Sequence, residues 1–414
     1  MRHRAAAVAV ALLGAAGLSA CGSSGGGKVT LNFYSFPDNS GAVQQAVDSC
    51  GTSRYTIQYN KLPNAADGQR QQLVRRLAAQ DSALDILGLD VTWEAEFAEA
   101  GWILPWTGAN EQQATAGTLK APLETARWKG KLYAVPYNSN TQLLWYRSDL
   151  VPTPPKTWDE MINDAIKLAK QGKPHLIEIQ GAQYEGVVVW FNTLVASAGG
   201  SILNASASGP SLGKPAVKAL TVMKKLASSA AADPSLSVQM EDQNRLAMED
   251  GRAAFQLNYP FVYPSMKADK PKLFKVFKYT QYPRVDANTP SHVTIGGIDL
   301  AISKYSSHPD LAFKAALCLR NRKNQLIAAT KGGLPPTIES LYSDPALAKS
   351  YPFHAEILAA LKNASVRPKT PAYQNVSIVI SHAVSPPGAI NPSSTESTIA
   401  SQIKDALASK GLIP

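Results

Sequence analysis

Several polar residues stand at breaks that follow predicted strands, and their chemical types suit a ligand rich in hydroxyl groups. The set has two carboxylates, three amides, a phenol and a guanidinium, with backbone groups at two glycines: Asp38, Asn39, Asp90, Asn140, Asn258, Tyr259, Arg367, Gly297 and Gly333. Hydroxyl groups donate and accept hydrogen bonds, and bonds to ionised partners are the stronger ones. The set therefore favours a site for an uncharged sugar whose C–H faces pack on aromatic rings.

Each member of this set also has an ordinary structural explanation. A single Asn in a loop commonly forms a turn, and a single Asp commonly caps a helix. Five tryptophans could likewise either pack in a core or form a platform for a sugar ring. They are Trp93, Trp102, Trp106, Trp145 and Trp190.

Signals for catalysis or for a cofactor are weak. The six histidines lack metal-ligand spacing, and neither a phosphate loop nor a dinucleotide glycine fingerprint is present. Residues 209–213 match a nucleophile-elbow pattern, but no strand precedes them. Asp90 and a nearby glutamate could supply a glycosidase carboxylate pair, although residues 94–99 look more like an acidic, solvated helix face. We predict no catalytic residue, no metal and no cofactor, and keep a surface glycosidase as the alternative from another class.

Strands that alternate with helices would position the site. Alternating apolar residues predict strands at 29–33 and 55–59, apolar runs predict strands at 84–89, 132–135, 142–146, 177–179, 253–257 and 294–302, and helical patterns cover 42–49, 69–79, 93–100, 187–198, 216–227, 241–250, 311–321, 375–383 and 395–409. Residues 136–140 read as a loop, and Thr157 with Glu160 reads as a capping box. The alternation predicts an α/β fold with mostly parallel sheets. The turns at 36–39 and 90–93 lie at carboxyl ends of strands, where such sheets bind ligands.

The first residues predict export. Arg2 and Arg4 precede an apolar run too short to span a bilayer, and Leu18-Ser19-Ala20-Cys21 looks like a lipobox. We expect a signal peptide at 1–20, a lipidated Cys21 and a flexible linker over 21–27. Such a protein is extracytoplasmic and anchored by lipid to the outer face of the cell membrane.

Removal of residues 1–20 from the 414 leaves 394 residues, a length that predicts two domains, and lowers the formal charge from +10 to +8. That charge is spread thinly, and no Lys/Arg cluster interleaved with aromatics suggests nucleic acid. Beyond Cys21 the cysteines are Cys50 and Cys318. An even pair in an oxidising compartment predicts a disulfide, with two separate buried thiols as the alternative.

Several motifs resemble those of the extracytoplasmic sugar-binding proteins of ABC importers. They are the lipobox, Tyr133-Ala134-Val135-Pro136 ahead of Asn140, Leu144-Trp145-Tyr146-Arg147, and Pro154-Pro155-Lys156-Thr157-Trp158. Further segments are similar to the trehalose-binding lipoproteins of actinobacterial ABC sugar importers: 89–93, 95–102, 140–147, 189–194, 293–297, 332–335 and 366–368.

This resemblance implies a periplasmic-binding-protein type II fold, with two α/β lobes, a ligand cleft and three hinge crossovers. It implies lobe 1 at 28–138 plus 296–322 and lobe 2 at 139–295 plus 323–414, with both Cys50 and Cys318 in lobe 1. Asp90, Asn140 and Arg367 correspond to polar contacts to trehalose, and the loop at Gly333-Leu334 supplies further contact. Tyr259 stands where the family has a sugar-facing tryptophan.

The implied function is capture of trehalose and its delivery to ABC permease subunits that are driven by a cytoplasmic ATPase. We expect a monomer that grips the sugar as its lobes close and releases it unchanged. A receptor for maltose or another gluco-oligosaccharide is the alternative within the class. The lack of a concentrated Lys/Arg pocket disfavours a phosphorylated sugar.

Overall fold

A computed structural model of the protein describes residues 27–410. The predicted signal peptide, Cys21 and nearly all of the predicted linker lie outside these residues. No helix within the described range combines the length and the apolar character that a bilayer crossing requires.

The strands fall into two main sheets and one small ribbon, and alternate along the chain with helices. The strands are β1 Val29–Ser35, β2 Tyr55–Lys61, β3 Ile86–Asp90, β4 Arg127–Trp128, β5 Lys131–Leu132, β6 Ala134–Asn140, β7 Leu143–Arg147, β8 Leu176–Glu178, β9 Ala253–Asn258, β10 Phe277–Thr280 and β11 Gly296–Ile302. The helices are α1 Ala42–Ser49, α2 Ala66–Ala78, α3 Glu94–Glu99, α4 Gly108–Thr115, α5 Lys120–Thr125, α6 Trp158–Lys170, α7 Glu185–Ser197, α8 Gly213–Ala227, α9 Glu241–Glu249, α10 Val262–Asp269, α11 Pro271–Phe274, α12 Pro309–Leu319, α13 Arg322–Gly332, α14 Pro345–Ser350, α15 His354–Lys362, α16 Tyr373–Val384 and α17 Pro392–Leu407.

The first sheet has the order β2-β1-β3-β11-β6. β1 is parallel to both β2 and β3, while β11 runs antiparallel to β3 and β6. Because β1 and β3 are parallel neighbours, their carboxyl ends share one edge of the sheet. The turn after β1 and Asp90 at the end of β3 therefore meet there, which confirms the predicted placement of both turns.

The second sheet has the order β10-β7-β9-β8. Only β8 and β9 are parallel, and the other two pairs are antiparallel. In the first sheet two of the four neighbouring strand pairs are parallel and two are antiparallel, so both sheets are mixed and the prediction of mostly parallel sheets is wrong. The antiparallel pairs involve β11 in the first sheet and β7 in the second, and the alternation of strands and helices along the chain does not reveal the direction in which those strands run; β10, which the sequence pattern did not reveal, adds one more antiparallel pair beside β7.

The segment 136–140, predicted as a loop, is part of strand β6. Its pairing with β11 shifts register between Ile298 and Asp299, so that Asn138 faces Ile298 and Pro136 faces Asp299. This bulge accommodates Pro136, which has no N–H to give to the ladder. The polar residues at 138–140 hid the strand because they supply none of the apolar alternation by which strands are recognised.

Hydrophobic cores separate the chain into two lobes. One core lies around the first sheet and includes α1 and α12, whereas two further cores cover the two faces of the second sheet. The chain passes between the sheets after Asn140, again before Gly296, and a third time beyond α12. The predicted boundary at 138/139 thus differs from the strand pairing, since Ser139 and Asn140 pair with Gly297 and Gly296 of the first sheet.

Helix α13 also differs from the predicted division, which assigned it almost entirely to lobe 2. The Asn324 amide of α13 donates to Cys50 Sγ at 3.4 Å, and Ser49 Oγ donates to Asn324 Oδ1 at 3.2 Å. These contacts attach α13 to α1 in the first lobe. The lobe limits otherwise stay a prediction.

Two local predictions are confirmed. Thr157 Oγ1 accepts from Glu160 N at 3.1 Å while Glu160 Oε2 accepts from Thr157 N at 3.1 Å, the reciprocal bonds of a capping box. Cys50 and Cys318 form a disulfide across a sequence separation of 268 residues. The alternative of two separate thiols is therefore wrong.

Candidate functional site

An ion-pair chain connects the end of β3 with the other lobe. Arg367 lies in the segment that precedes α16, and its side chain is only 3% exposed. Its Nη1 donates to Glu185 Oε1 at 2.5 Å, and its Nη2 approaches Asp90 Oδ1 at 3.4 Å. The structure thus brings together two predicted site residues that are 277 positions apart.

Asp90 is the partly exposed end of this series of ion pairs. Its Oδ1 accepts from the backbone N of Thr92 at 3.1 Å and from the Thr92 hydroxyl at 2.8 Å. Within residues 27–410, its Oδ2 has no hydrogen-bond donor from the protein and is open to solvent. One carboxylate oxygen is therefore held by the protein while the other is free to accept from a ligand hydroxyl.

Glu185 is a site residue that the sequence analysis missed. It begins α7, and its carboxylate accepts from the hydroxyls of Tyr373 and Ser377 as well as from Arg367. Burial raises the pKa of this carboxyl, and Arg367 opposes that effect. Burial alone would lower the pKa of Arg367, but the negative charges around it raise that pKa well above its ordinary value. The two side chains therefore favour each other's charged forms against the effect of burial.

Tyr259 belongs to the same cluster. Burial raises the pKa of its phenol, and the charge of Glu241 adds to this rise, whereas Arg367 acts against it. Glu241, at the start of α9, is partly buried near Tyr184, and this burial raises the pKa of its carboxyl. A tyrosine thus lies within electrostatic range of carboxylates and a guanidinium, the combination that the sequence analysis sought for a sugar.

Three loops meet next to Tyr259. A Cβ atom at Gly333 would lie 2.9 Å from the Cα of Phe261, and one at Gly332 would lie 2.9 Å from Ser40 Oγ. The loop that contains Leu334 is therefore packed between the turn after β9 and the turn after β1, which carries the exposed Asn39. Gly333 also ends α13 with φ +68°, a conformation that glycine adopts without strain.

Gly297 places a backbone carbonyl next to Asp90. Its oxygen accepts from Val91 N at 3.3 Å. Across the strand pair, Asn140 lies opposite Gly296, and its buried Oδ1 has no partner in the described part of the chain. Asn140 thus offers a further acceptor at the crossover between the lobes.

Gly297→Ala is expected to lower the free energy of unfolding by about 2–4 kcal/mol, from backbone strain and overpacking together. Gly297 has φ +140°, and an added Cβ would lie 2.3 Å from Asn138 O. Urea unfolding measures the loss. Gly172→Ala is the matched control, because Gly172 has φ +66° and no atom within 4 Å of the added methyl. Equal losses in the two variants would show that the close approach to Asn138 has no cost.

Two other predicted site residues have their polar atoms occupied by neighbours. Asp38 accepts from Ser40 through Oδ1 and from Val43 N through Oδ2 at 2.8 Å, which caps the start of α1. Asn258 donates to Glu241 O at 3.0 Å and accepts from Tyr259 N at 2.8 Å. The structure therefore gives both a positioning role, and Asn258 orients the two cleft residues that it touches.

The tryptophans in question are core residues rather than sugar platforms: Trp93, Trp106, Trp145 and Trp190 are buried, and Trp102 packs on the first core. A groove of about 460 Å³ between α5 and α15 lies outside the Asp90–Tyr259 cluster. Another groove, of about 360 Å³, is lined by Asn192 and Ser365 and borders the cluster at Arg367. No group of metal-ligating side chains is found among residues 27–410.

Comparison with known proteins assigns the class. The profile of the bacterial extracellular solute-binding protein family matches residues 55–325, and the chain belongs to this family. A probable ABC transporter-binding protein of Deinococcus radiodurans is 26% identical over 346 residues, which cover 80% of this chain and 81% of the relative.

Solved structures of sugar complexes share the whole fold. The maltose-bound MalE3 of T. maritima is 26% identical with a TM-score of 0.84, over 91% of this chain and 99% of that protein. The GacH receptor of Streptomyces glaucescens GLA.O, solved unliganded and with acarbose, is 20% identical with a TM-score of 0.81, over 93% of this chain and 100% of the receptor. The predicted two-lobed type II fold is confirmed. The relatives are solute-binding proteins rather than enzymes, in agreement with the prediction.

Proposed function

We propose that this protein is the sugar-capturing subunit of an ABC importer, and that its ligand is a neutral disaccharide, above all trehalose. The observation that carries the proposal is the Asp90–Arg367 pair, which spans the two lobes at 3.4 Å and leaves Asp90 Oδ2 open. A sugar hydroxyl that donates to Asp90 gains a charge-assisted bond. The ring of Tyr259 beside this pair provides a surface for the C–H face of the sugar.

The mechanism is capture without chemistry. Asp90 lies on the first lobe and Arg367, Glu185 and Tyr259 on the second, so a ligand between them is contacted from both sides only when the lobes meet. A sugar that gains contacts only in the closed form shifts the population toward that form. The closed, loaded protein then presents the sugar to permease subunits, and a lipid on Cys21 keeps it near them.

The relatives support a sugar ligand and keep a second candidate open. MalE3 was solved with maltose, which favours maltose or a related gluco-oligosaccharide as the alternative to trehalose. A glycosidase gains no support, because Glu96 is paired with Arg70 and Glu99 with Lys129. Neither of these carboxylates is free to act with Asp90, and Glu94, at 1% exposure, is shielded from a sugar in the cleft.

A thermal-shift series tests the proposal. We expect trehalose to raise the unfolding midpoint with concentration, maltose to do so less, and mannitol to have no effect, because a ligand that binds only the native state stabilises it. Asp90→Asn should abolish the shift, while Asp48→Asn on the exposed face of α1 should preserve it. Recovery of intact sugar after long incubation excludes hydrolysis. A chain that responds to none of these sugars, yet responds to another class of solute, would overturn the assignment.

A further inference from the structure

Glu94 departs from the solvated helix face that the sequence predicted for residues 94–99. It is 1% exposed at the start of α3, one helical turn beyond Asp90. Neither of its carboxyl oxygens has a hydrogen-bond partner on another residue within 27–410. A buried carboxylate without a donor is costly, so the group requires another explanation.

Asp299 of β11 explains how the buried carboxyl of Glu94 is tolerated. This residue is 0% exposed, and its Oδ2 accepts from Thr125 Oγ1 at 3.0 Å, while its Oδ1 lacks an N–H or hydroxyl donor in the described part of the chain. Asp299 follows Ile298, which lies opposite Asp90 across the β3–β11 pair, and the buried carboxyl groups of Glu94 and Asp299 are close enough to shift each other's pKa. Two neighbouring carboxyl groups satisfy each other only when one of them holds a proton, because a carboxylate alone has no donor.

The pair lies directly behind the binding site. Asp90 is its nearest further negative charge, and Arg367 then links Asp90 to the second lobe. On the same side, Lys369 of the second lobe donates to the backbone oxygen of Glu124 at 2.7 Å and lies within electrostatic range of Glu94. The charged groups that face the pair or its neighbours are therefore Asp90, Arg367, Lys369, Glu124 and Arg127.

We propose that Glu94 and Asp299 share one proton and act as a positioning pair behind Asp90, so that sugar capture is linked to proton uptake. This proposal rests on the proposed function for its ligand. While the proton is held, the pair adds a single negative charge, and Asp90 keeps its contacts to Thr92 and Arg367. Loss of the proton puts a second negative charge behind Asp90 and repels its carboxylate from that position.

The burial of Glu94 and Asp299 determines whether sugar binding takes up or releases a proton. Burial raises the pKa of Asp299 to about 7 and raises the pKa of Glu94 as well, with Asp90 adding to both. A bound sugar removes water from the face of Asp90, which lowers the local dielectric and strengthens repulsion among the three carboxyl groups. The bound form therefore holds the proton more tightly than the free form. Affinity is expected to fall as the pH rises above neutrality.

Calorimetry with trehalose at pH 6 and pH 9, in buffers of different ionisation enthalpy, measures the affinity for the sugar and the number of protons taken up on binding. For the parent chain we expect the dissociation constant to rise at least threefold from pH 6 to pH 9. Binding should take up part of a proton. A difference of one pKa unit between the free and bound forms would change the dissociation constant about tenfold. Glu94→Gln should remove the pH dependence and the proton uptake. Glu99→Gln, a matched control on the exposed face of α3, should behave like the parent.

A second variant and a second readout keep the outcomes distinct. Asp299→Asn retains an acceptor for Thr125 and should likewise bind without proton uptake. If trehalose and maltose fail to bind at either pH, the proposed function fails, and unfolding of the ligand-free chain still tests the pair. The parent should lose stability between pH 5 and pH 8, because the folded state holds protons that the unfolded state releases. A pH dependence of binding or unfolding that is equal in the parent and in both variants overturns the proposal.

Discussion

Arg367→Gln is expected to lower the affinity for the disaccharide at least about 100-fold, close to 3 kcal/mol, and to destabilise the fold by a similar amount. The guanidinium is 3% exposed and contacts Glu185 at 2.5 Å and Asp90 at 3.4 Å. Glutamine removes the charge between these two carboxylates and leaves Glu185 buried without its cation. Isothermal titration with trehalose measures the first loss, and urea unfolding measures the second.

The two losses have different origins and are therefore separable. Destabilisation arises chiefly at Glu185, where burial raises the pKa of the carboxyl and Arg367 provides the main opposing charge. A second change, Glu185→Gln, removes the unpaired charge and should recover part of the stability in the Arg367→Gln background. It should not recover binding, because neither glutamine replaces the guanidinium beside Asp90.

Arg320→Gln is the matched control. Arg320 is also buried, at 4% exposure, but it donates to the backbone oxygens of Gln113 and Ala114 in the first lobe, away from Asp90. Its loss should lower stability and leave the affinity for trehalose unchanged. An Arg367→Gln chain that binds trehalose like the parent would remove Arg367 from the site, and equal losses of affinity in both variants would assign the effect to instability.

Local features of the sequence predicted local structure well. Thr157 and Glu160 predicted a helix start because capping depends on residues three positions apart. The turn after β1 and the end of β3 were each predicted at the carboxyl end of a strand, and in the structure they meet because β1 and β3 are parallel neighbours. Strand β6 was missed because its Pro136 and polar residues remove the alternation, while the partner that stabilises it, β11, lies far along the chain.

The candidate site shows the same limit. Asp90 and Arg367 were selected through motifs and resemblance, since no pattern within a window of sequence joins residues 277 positions apart. No sequence motif marks Glu185 or Tyr373 as a site residue. Glu185 is the first residue of the apolar helix α7, and Tyr373 is the first residue of α16. Glu94 was placed on the solvated face because its neighbours Glu96 and Glu99 are acidic. Only the three-dimensional structure, in which Glu94 is 1% exposed and Asp299 of β11 is its neighbour, shows that this carboxyl is turned inward.

The Cys50→Ser, Cys318→Ser double variant is expected to lower the free energy of unfolding by about 5–6 kcal/mol, by the entropic account of a cross-link that closes a loop of this size. The disulfide connects the end of α1 with α12 across a separation of 268 residues. It constrains the unfolded chain far more than the folded one, because both helices already pack on the core of the first sheet.

Affinity for trehalose should be unchanged in this variant. The disulfide lies at the opposite end of α1 from the capped turn at Asp38. Cys50 contacts α13 through Asn324 rather than through the loop at Gly333. Urea unfolding of the parent with and without a reductant is the internal control, since reduction should reproduce the loss. Under reducing conditions the parent and the double variant should unfold together. A loss below about 1 kcal/mol would show that the unfolded chain is already compact enough for the cross-link to remove little entropy. A parallel loss of affinity would instead show that α1 and α13 transmit the constraint to the Gly333 loop.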